Sequence, residues 1–194
     1  MNMKKILSIL TAVICITVAF AAGCKSGEEK LPADTTPRVE LSALEQVYDG
    51  TAHYPQVTIY PSDLSDVELQ FFAEGEQIEK AVYPGNYMVK AVVKNGSIAD
   101  VEAEFVIEPA EINLKKVVFP AKKADGTTNY VAVISDLPDI VGKDRVSLRI
   151  EGRLSSASVG DKVNLAVTKI ALEGDHAKYY TLTKAEAIYV SVVA

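Results

Sequence analysis

From Arg38 to the C-terminus, apolar side chains fall on every second residue in one run after another. Asp100 to Glu108 places Val101, Ala103, Phe105 and Ile107 on one side of an extended chain, with Glu102, Glu104 and Glu108 on the other. Tyr87, Val89, Ala91 and Val93 alternate with Lys90 and Lys94, and Val67, Leu69 and Phe71 with Glu68 and Gln70. Val146, Leu148 and Ile150 do the same against Arg145, Ser147 and Arg149. Successive side chains of a strand point to opposite faces, so this pattern builds sheets with one dry and one wet face. No stretch after the first 23 residues keeps a helical period through three turns. Asp49-Gly50, Pro84-Gly85, Asn95-Gly96, Asp125-Gly126 and Glu173-Gly174 punctuate the runs as turns. The chain is predicted to be all-β. Within Lys162–Leu172 the register breaks: Val163, Leu165 and Val167 share one parity, Ile170 and Leu172 the other. A bulge near Thr168-Lys169 would restore it.

The runs also repeat. Asp49-Gly50-Thr51 returns as Asp125-Gly126-Thr127, and Gly85, ahead of one alternating run, is matched by Gly160 ahead of another. Pro109-Ala110-Glu111-Ile112 is echoed by Lys184-Ala185-Glu186-Ala187-Ile188. All three echoes lie about 75 residues apart, which predicts two tandem copies of one small β module. The expected boundaries are 38–109 and 110–194, with almost no linker between them. Each copy would hold six or seven short strands, as an Ig-like β-sandwich or, alternatively, as a β-grasp-like module with one helix. A module of about 75 residues buries only a marginal core alone, so end-to-end stacking is expected. Asp-Gly would supply the positive φ angles of tight hairpin turns, and Gly85 and Gly160 would free the backbone where a Cβ clashes. Tyr87 and Tyr180 are expected to be core aromatics whose hydroxyls reach a backbone partner, in the manner of a tyrosine corner.

The first 23 residues are different. Lys4 and Lys5 precede an uncharged run from Ile6 to Phe20, and Ala21-Ala22-Gly23 stands before Cys24. A basic n-region, an apolar h-region and small residues at a cleavage point make a secretory signal. The apolar run, ~15–18 residues, falls short of the ~20 needed to cross a bilayer. The cleavage region resembles a bacterial lipobox, with Ala21 where Leu is commonest. The resemblance implies that 1–23 is removed and that Cys24 is lipidated as the new N-terminus, anchoring the chain in the cell envelope at the outer membrane or cell surface. Residues 24–37 are rich in Gly, Pro, Ser, Thr and charge, a composition expected of a flexible tether. Its Lys25-Ser26-Gly27-Glu28-Glu29 start is similar to the acidic post-cysteine signals of some surface-exposed bacterial lipoproteins.

Composition excludes several kinds of chemistry. Cys15 lies in the leader, so only Cys24 would remain and no intrachain disulfide can form. Two histidines, His53 and His176, cannot build a structural zinc site without cysteines. Both are expected to be solvated side chains. The net charge is −6, and losing Lys4 and Lys5 makes the remainder more acidic, which disfavours nucleic acid. The sequence lacks G-x-S-x-G and H-E-x-x-H motifs and a Cys paired with His, so it is expected to be non-enzymatic and free of cofactors. Asp136, Asp139 and Asp144 lack the pattern of a calcium loop and are expected to cap turns. Tyr54, Tyr60, Phe72, Tyr83 and Tyr130 are aromatic candidates for contact with a glycan. Tyr60 and Phe72 fall on the outward parity of their runs and are the candidate surface contacts.

The motifs resemble the MBG/YDG group of repeat modules of bacterial surface proteins. Tyr48-Asp49-Gly50-Thr51, Pro84-Gly85-Asn86-Tyr87 and Phe105-Val106-Ile107-Glu108-Pro109-Ala110 make residues 38–109 similar to the MBG type. Lys123-Ala124-Asp125-Gly126-Thr127-Thr128, Ser158-Val159-Gly160 and Ala171–Leu182 make 110–194 similar to the YDG type, with Ala124 replacing an aromatic and Tyr179 an Asn. The resemblance implies a lipid-anchored surface protein whose tandem modules act as an adhesive binding unit or short spacer, for an unknown protein or glycan partner. The alternative is an envelope subunit that docks another protein through an exposed strand edge or an aromatic patch.

Overall fold

A computed structural model describes residues 36–60, 66–94, 98–184 and 187–194. The leader, Cys24, the tether to residue 35, Asn95-Gly96 and Glu186 lie outside the described residues. Between Arg38 and Glu108 the chain forms β1 (Arg38–Ser42), β2 (Glu45–Val47), β3 (Gln56–Tyr60), β4 (Val67–Ala73), β5 (Glu76–Ile78), β6 (Gly85–Val93) and β7 (Val101–Glu108). After it come β8 (Ala110–Ile112), β9 (Lys122–Lys123), β10 (Asn129–Ile134), β11 (Ser147–Leu154), β12 (Gly160–Glu173), β13 (Tyr180–Leu182) and β14 (Ile188–Val193). The fold is all-β and sandwich-like. The only helices among the described residues are two single 3-10 turns, Leu114–Lys116 and Ala177–Tyr179, so the helix of a β-grasp is missing from them.

In the first half β1 pairs antiparallel with β3, and a five-stranded sheet runs β2-β7-β6-β4-β5. The chain changes sheet at Ala43, whose φ of 53° turns it from β1 into β2. Val39, Ala91 and Val93 are buried between the two layers, with Leu41, Val57 and Ile59 packed against them. Ala91 and Val93 are positions that alternation assigned to the dry face. In the second half a five-stranded sheet runs β10-β11-β12-β14-β9, and β8 pairs parallel with β13.

The echoed motifs have unequal structural meanings. In each half a short strand before Asp-Gly-Thr lies parallel to the last strand of its sheet, β2 on β7 and β9 on β14. The order then continues alike, through β6 and β4 or through β12 and β11. Asp49 accepts from Thr51 N–H at 2.8 Å and Thr51 Oγ1 at 2.7 Å; Asp125 accepts from Thr127 N–H and Oγ1, both at 2.8 Å. Gly50 and Gly126 follow with φ of 80° and 75°. Neither is the expected hairpin turn. β2 and β3 belong to different sheets, and β9 and β10 are not neighbours, so each motif is a side-chain-closed turn that redirects the chain between partners. The third echo does not mark equivalent positions. Ala110–Ile112 follows the last strand of the first sheet, whereas Ile188 opens the last strand of the second.

Pro109 alone separates β7 from β8. Phe71, Phe105 and Ile107 of the first half and Ile112, Leu148 and Tyr180 of the second belong to one buried cluster. A second cluster, around Ile150, Leu165 and Val190, lies within the later sheet.

The predicted bulge is present. Glu151 opposes Lys169 and Gly152 opposes Val167, so Thr168 is the extra residue, its hydroxyl donating to Glu151 O at 3.1 Å. Gly152 is required here because a Cβ would lie 2.5 Å from the Ala166 carbonyl oxygen. Gly152→Ala is therefore expected to cost about 1–3 kcal/mol through forced backbone displacement, read as a lower denaturant midpoint at unchanged m. The clash anticipated at Gly85 and Gly160 is absent. Added Cβ atoms there would meet nothing closer than 3.9 and 3.7 Å, since both strand entries are open.

Candidate functional site

Where the halves meet, side chains distant in sequence converge on one carboxylate. Tyr48 follows β2 and is held in place by its N–H, which donates to Glu108 O at 2.9 Å. Its hydroxyl donates to Asp144 Oδ2 at 2.9 Å, and the Tyr180 hydroxyl donates to the same oxygen at 2.7 Å. Val141 N–H in turn donates to Tyr180 Oη at 2.9 Å. The loop before β11 is closed further by Arg145 N–H, which donates to His176 Nδ1 at 3.0 Å, and by an Arg145–Asp175 ion pair. Across the junction, a Cβ on Gly50 would come within 2.8 Å of Val141. The two loops are in direct contact.

Aromatic rings rim this lock. Tyr83 stacks on Tyr179 with centroids 4.9 Å apart and planes 23° apart. Tyr179 also meets Tyr48 at 5.2 Å, and Tyr48 stands edge-on to Tyr180 at 5.9 Å. Lys178 Nζ lies 5.3 Å from the Tyr179 centroid, within range of a cation–π attraction. Tyr83 is held from behind, its carbonyl accepting from the Tyr87 hydroxyl at 2.6 Å, while its side chain stays 53 % exposed. A groove of about 350 Å³ opens here, with Tyr48, Asp49, Tyr83, Lys143, Asp144 and His176 among its lining residues. An exposed ring beside carboxylates, an imidazole and an ammonium suits a flat polar ligand.

Burial, and then the Asp144 hydrogen bond, push Tyr48 well above the ordinary phenol range. The same two causes, in the same order, push Tyr180 up to about 12. Both phenols therefore stay protonated at neutral pH and act as donors, the opposite of what a tyrosine base needs.

Of the residues singled out from sequence, Tyr180 is a core aromatic as expected, its hydroxyl meeting a backbone N–H and a carboxylate, whereas Tyr87 reaches its backbone carbonyl from a half-buried position at the edge of the core. Tyr60 lies half-buried on β3 under the Arg38 guanidinium, 4.0 Å from its ring centroid. Phe72 lies half-buried on the outer side of β4, opposite Met88 and Gln77, beside a groove of about 510 Å³. The two sit on different sheets and are not brought together. Tyr130 is no surface aromatic: it is buried, and its hydroxyl donates to Pro120 O at 2.8 Å. Tyr54 is exposed, edge-on to Phe71. His53 is not solvated but tucked in, its Nε2 3.1 Å from the Asp49 carboxylate, and His176 is engaged by Arg145. Asp139 pairs with Lys116 at 2.8 Å. Among the described residues no group of three or more His, Cys, Asp or Glu side chains is placed to hold a metal ion. In sequence, Tyr179 is marked only by standing where the YDG pattern has Asn. Its neighbours Tyr48 and Tyr83 lie far away in the chain, and no local pattern joins them.

The fold and this junction define an all-β body with an aromatic-rimmed groove. Residues 108–187 match the YDG domain family, a span from the end of β7 to the residue before β14. The likeness of residues 38–109 to MBG modules rests on their motifs. No curated protein and no solved structure matches the chain.

Proposed function

We propose that this chain is a non-catalytic, lipid-anchored protein of the bacterial cell envelope, held by Cys24 and built from modules at 38–109 and 110–194. It binds a protein or glycan partner through the tyrosine-rimmed groove at their junction. The observation that carries this reading is the exposed Tyr83 ring, stacked on half-buried Tyr179 beside polar groups and above a hydrogen-bonded base. Its position favours binding over spacing, since a spacer gains nothing from an exposed ring such as Tyr83 at the mouth of a groove. The leader and the Gly-Cys step support the anchor.

Two measurements test this. Cys24→Ala is expected to move the protein from the membrane to the soluble envelope fraction, and unchanged retention would remove the anchor from the proposal. On a glycan array and against surface-protein extracts, Tyr83→Ala is expected to weaken binding at least tenfold. Equal binding by the variant would show that the groove is not the site. Protease shaving of intact cells reads which side of the membrane the body occupies.

A further inference from the structure

Among the described residues, β10 is the edge strand left unguarded. Sheet edges present free peptide groups, and proteins blunt them with short strands, charges, prolines or bulges. The other edges among the described residues carry such devices. β2, β5, β8 and β13 are three residues long, the first three with Glu45, Glu76 and Glu111, and β9 is Lys122-Lys123. β3 is five residues entered directly after Pro55, and β1 carries Arg38 and Glu40. β12, where it runs past β14, carries the Thr168 bulge, Lys169 and Glu173. β10, by contrast, is six residues with no charge, proline or bulge, Asn-Tyr-Val-Ala-Val-Ile, paired in unbroken register with β11 alone. Its outward side chains Val131 and Val133 are 61 % and 51 % exposed.

We propose that β10 pairs with β10 of a second copy, antiparallel, about a two-fold axis at Ala132. The hydrogen-bond parity permits it. Leu154 N–H donates to Thr128 O in the β10–β11 register, so even-numbered peptide groups of β10 face β11 and those of Asn129, Val131 and Val133 face outward. A two-fold at Ala132 sets Val131 opposite Val133 of the other copy, and the reverse. Each such pair exchanges two backbone hydrogen bonds, and the four exposed valines cover one another on one face. Tyr130 and Ile134 meet on the other face. The charges agree as well. Val131 lies beside Glu151 and Val133 beside Arg149, so each row across the joined sheet ends in opposite charges. Arg149 and Glu151 are already paired at 2.8 Å, which keeps this margin neutral on an acidic chain. A self-complementary edge selects a second copy rather than an unrelated strand.

Full-length protein extracted from the envelope in mild detergent tests this, by light-scattering mass from about 1 to 500 µM, since a six-residue pairing buries less than a standard interface. A rise toward twice the chain mass is expected, with Val131→Lys/Val133→Lys monomeric at every concentration and unchanged in circular dichroism. A monomeric wild type, a variant that still dimerises, or a different protein found on the edge would overturn the proposal. Amide exchange of the wild type needs no variant. Val131 and Val133 N–H are expected to slow at least tenfold between the dilute and concentrated ends, and equal rates would also overturn it.

Discussion

Phe105→Ala is expected to cost about 3–5 kcal/mol and to lower the melting of both halves together, in one transition. Phe105 is fully buried on β7, edge-on to Phe71 at 6.0 Å and tilted to Tyr87 at 6.5 Å. Its removal leaves a cavity that close-packed strands on both sides cannot fill. The cluster that loses the ring also contains Ile112, Leu148 and Tyr180 from the second half, so the loss is shared. Against a total stability of about 5–15 kcal/mol, such a cost takes a large fraction. Calorimetry and denaturant melts followed by two probes check it. Two separate transitions with only one displaced would mean that the halves unfold independently.

Asp144→Ala is expected to cost about 2–4 kcal/mol, because it strips the acceptor from two phenols at once. Tyr48 and Tyr180 are both about 5 % exposed, so water replaces the carboxylate poorly. Asp144→Asn keeps one acceptor oxygen and is expected to lose roughly half as much. Adding Tyr48→Phe to Asp144→Ala removes one stranded donor and should recover part of the loss, a coupling that a double-mutant cycle reads directly. An Asp144→Ala variant within about 0.5 kcal/mol of wild type would show that the junction is held by apolar packing alone.

Much of the fold was legible in particular residues. Val89, Ala91, Phe105, Ile107, Leu148 and Ile150 declare the dry faces by alternation, and each is buried. The parity break in Lys162–Leu172 located the bulge at Thr168. Turn chemistry was less reliable. Asp-Gly reports a positive φ and a side-chain cap, but not which strands lie on either side, so the motif alone does not distinguish a hairpin from a turn between sheets. Gly85 and Gly160 resembled sites of close approach. The crowded glycine is Gly152, and the Ala166 carbonyl that crowds it belongs to the neighbouring strand.

The candidate site was the least legible part. Tyr83 was among the aromatic candidates and Tyr180 among the tyrosines with a hydroxyl partner, but nothing local couples Tyr48 to Asp144, 96 residues away, or Tyr83 to Tyr179. Period, turn residues and composition are short-range properties, and they were enough for strands, their buried faces and a recurring turn motif. Strand partners, the core shared across Pro109, the ring stack and the unguarded β10 edge depend on contacts that exist only after distant segments have been brought together. Those contacts are chosen by the packing of whole faces, which no short stretch of the chain encodes.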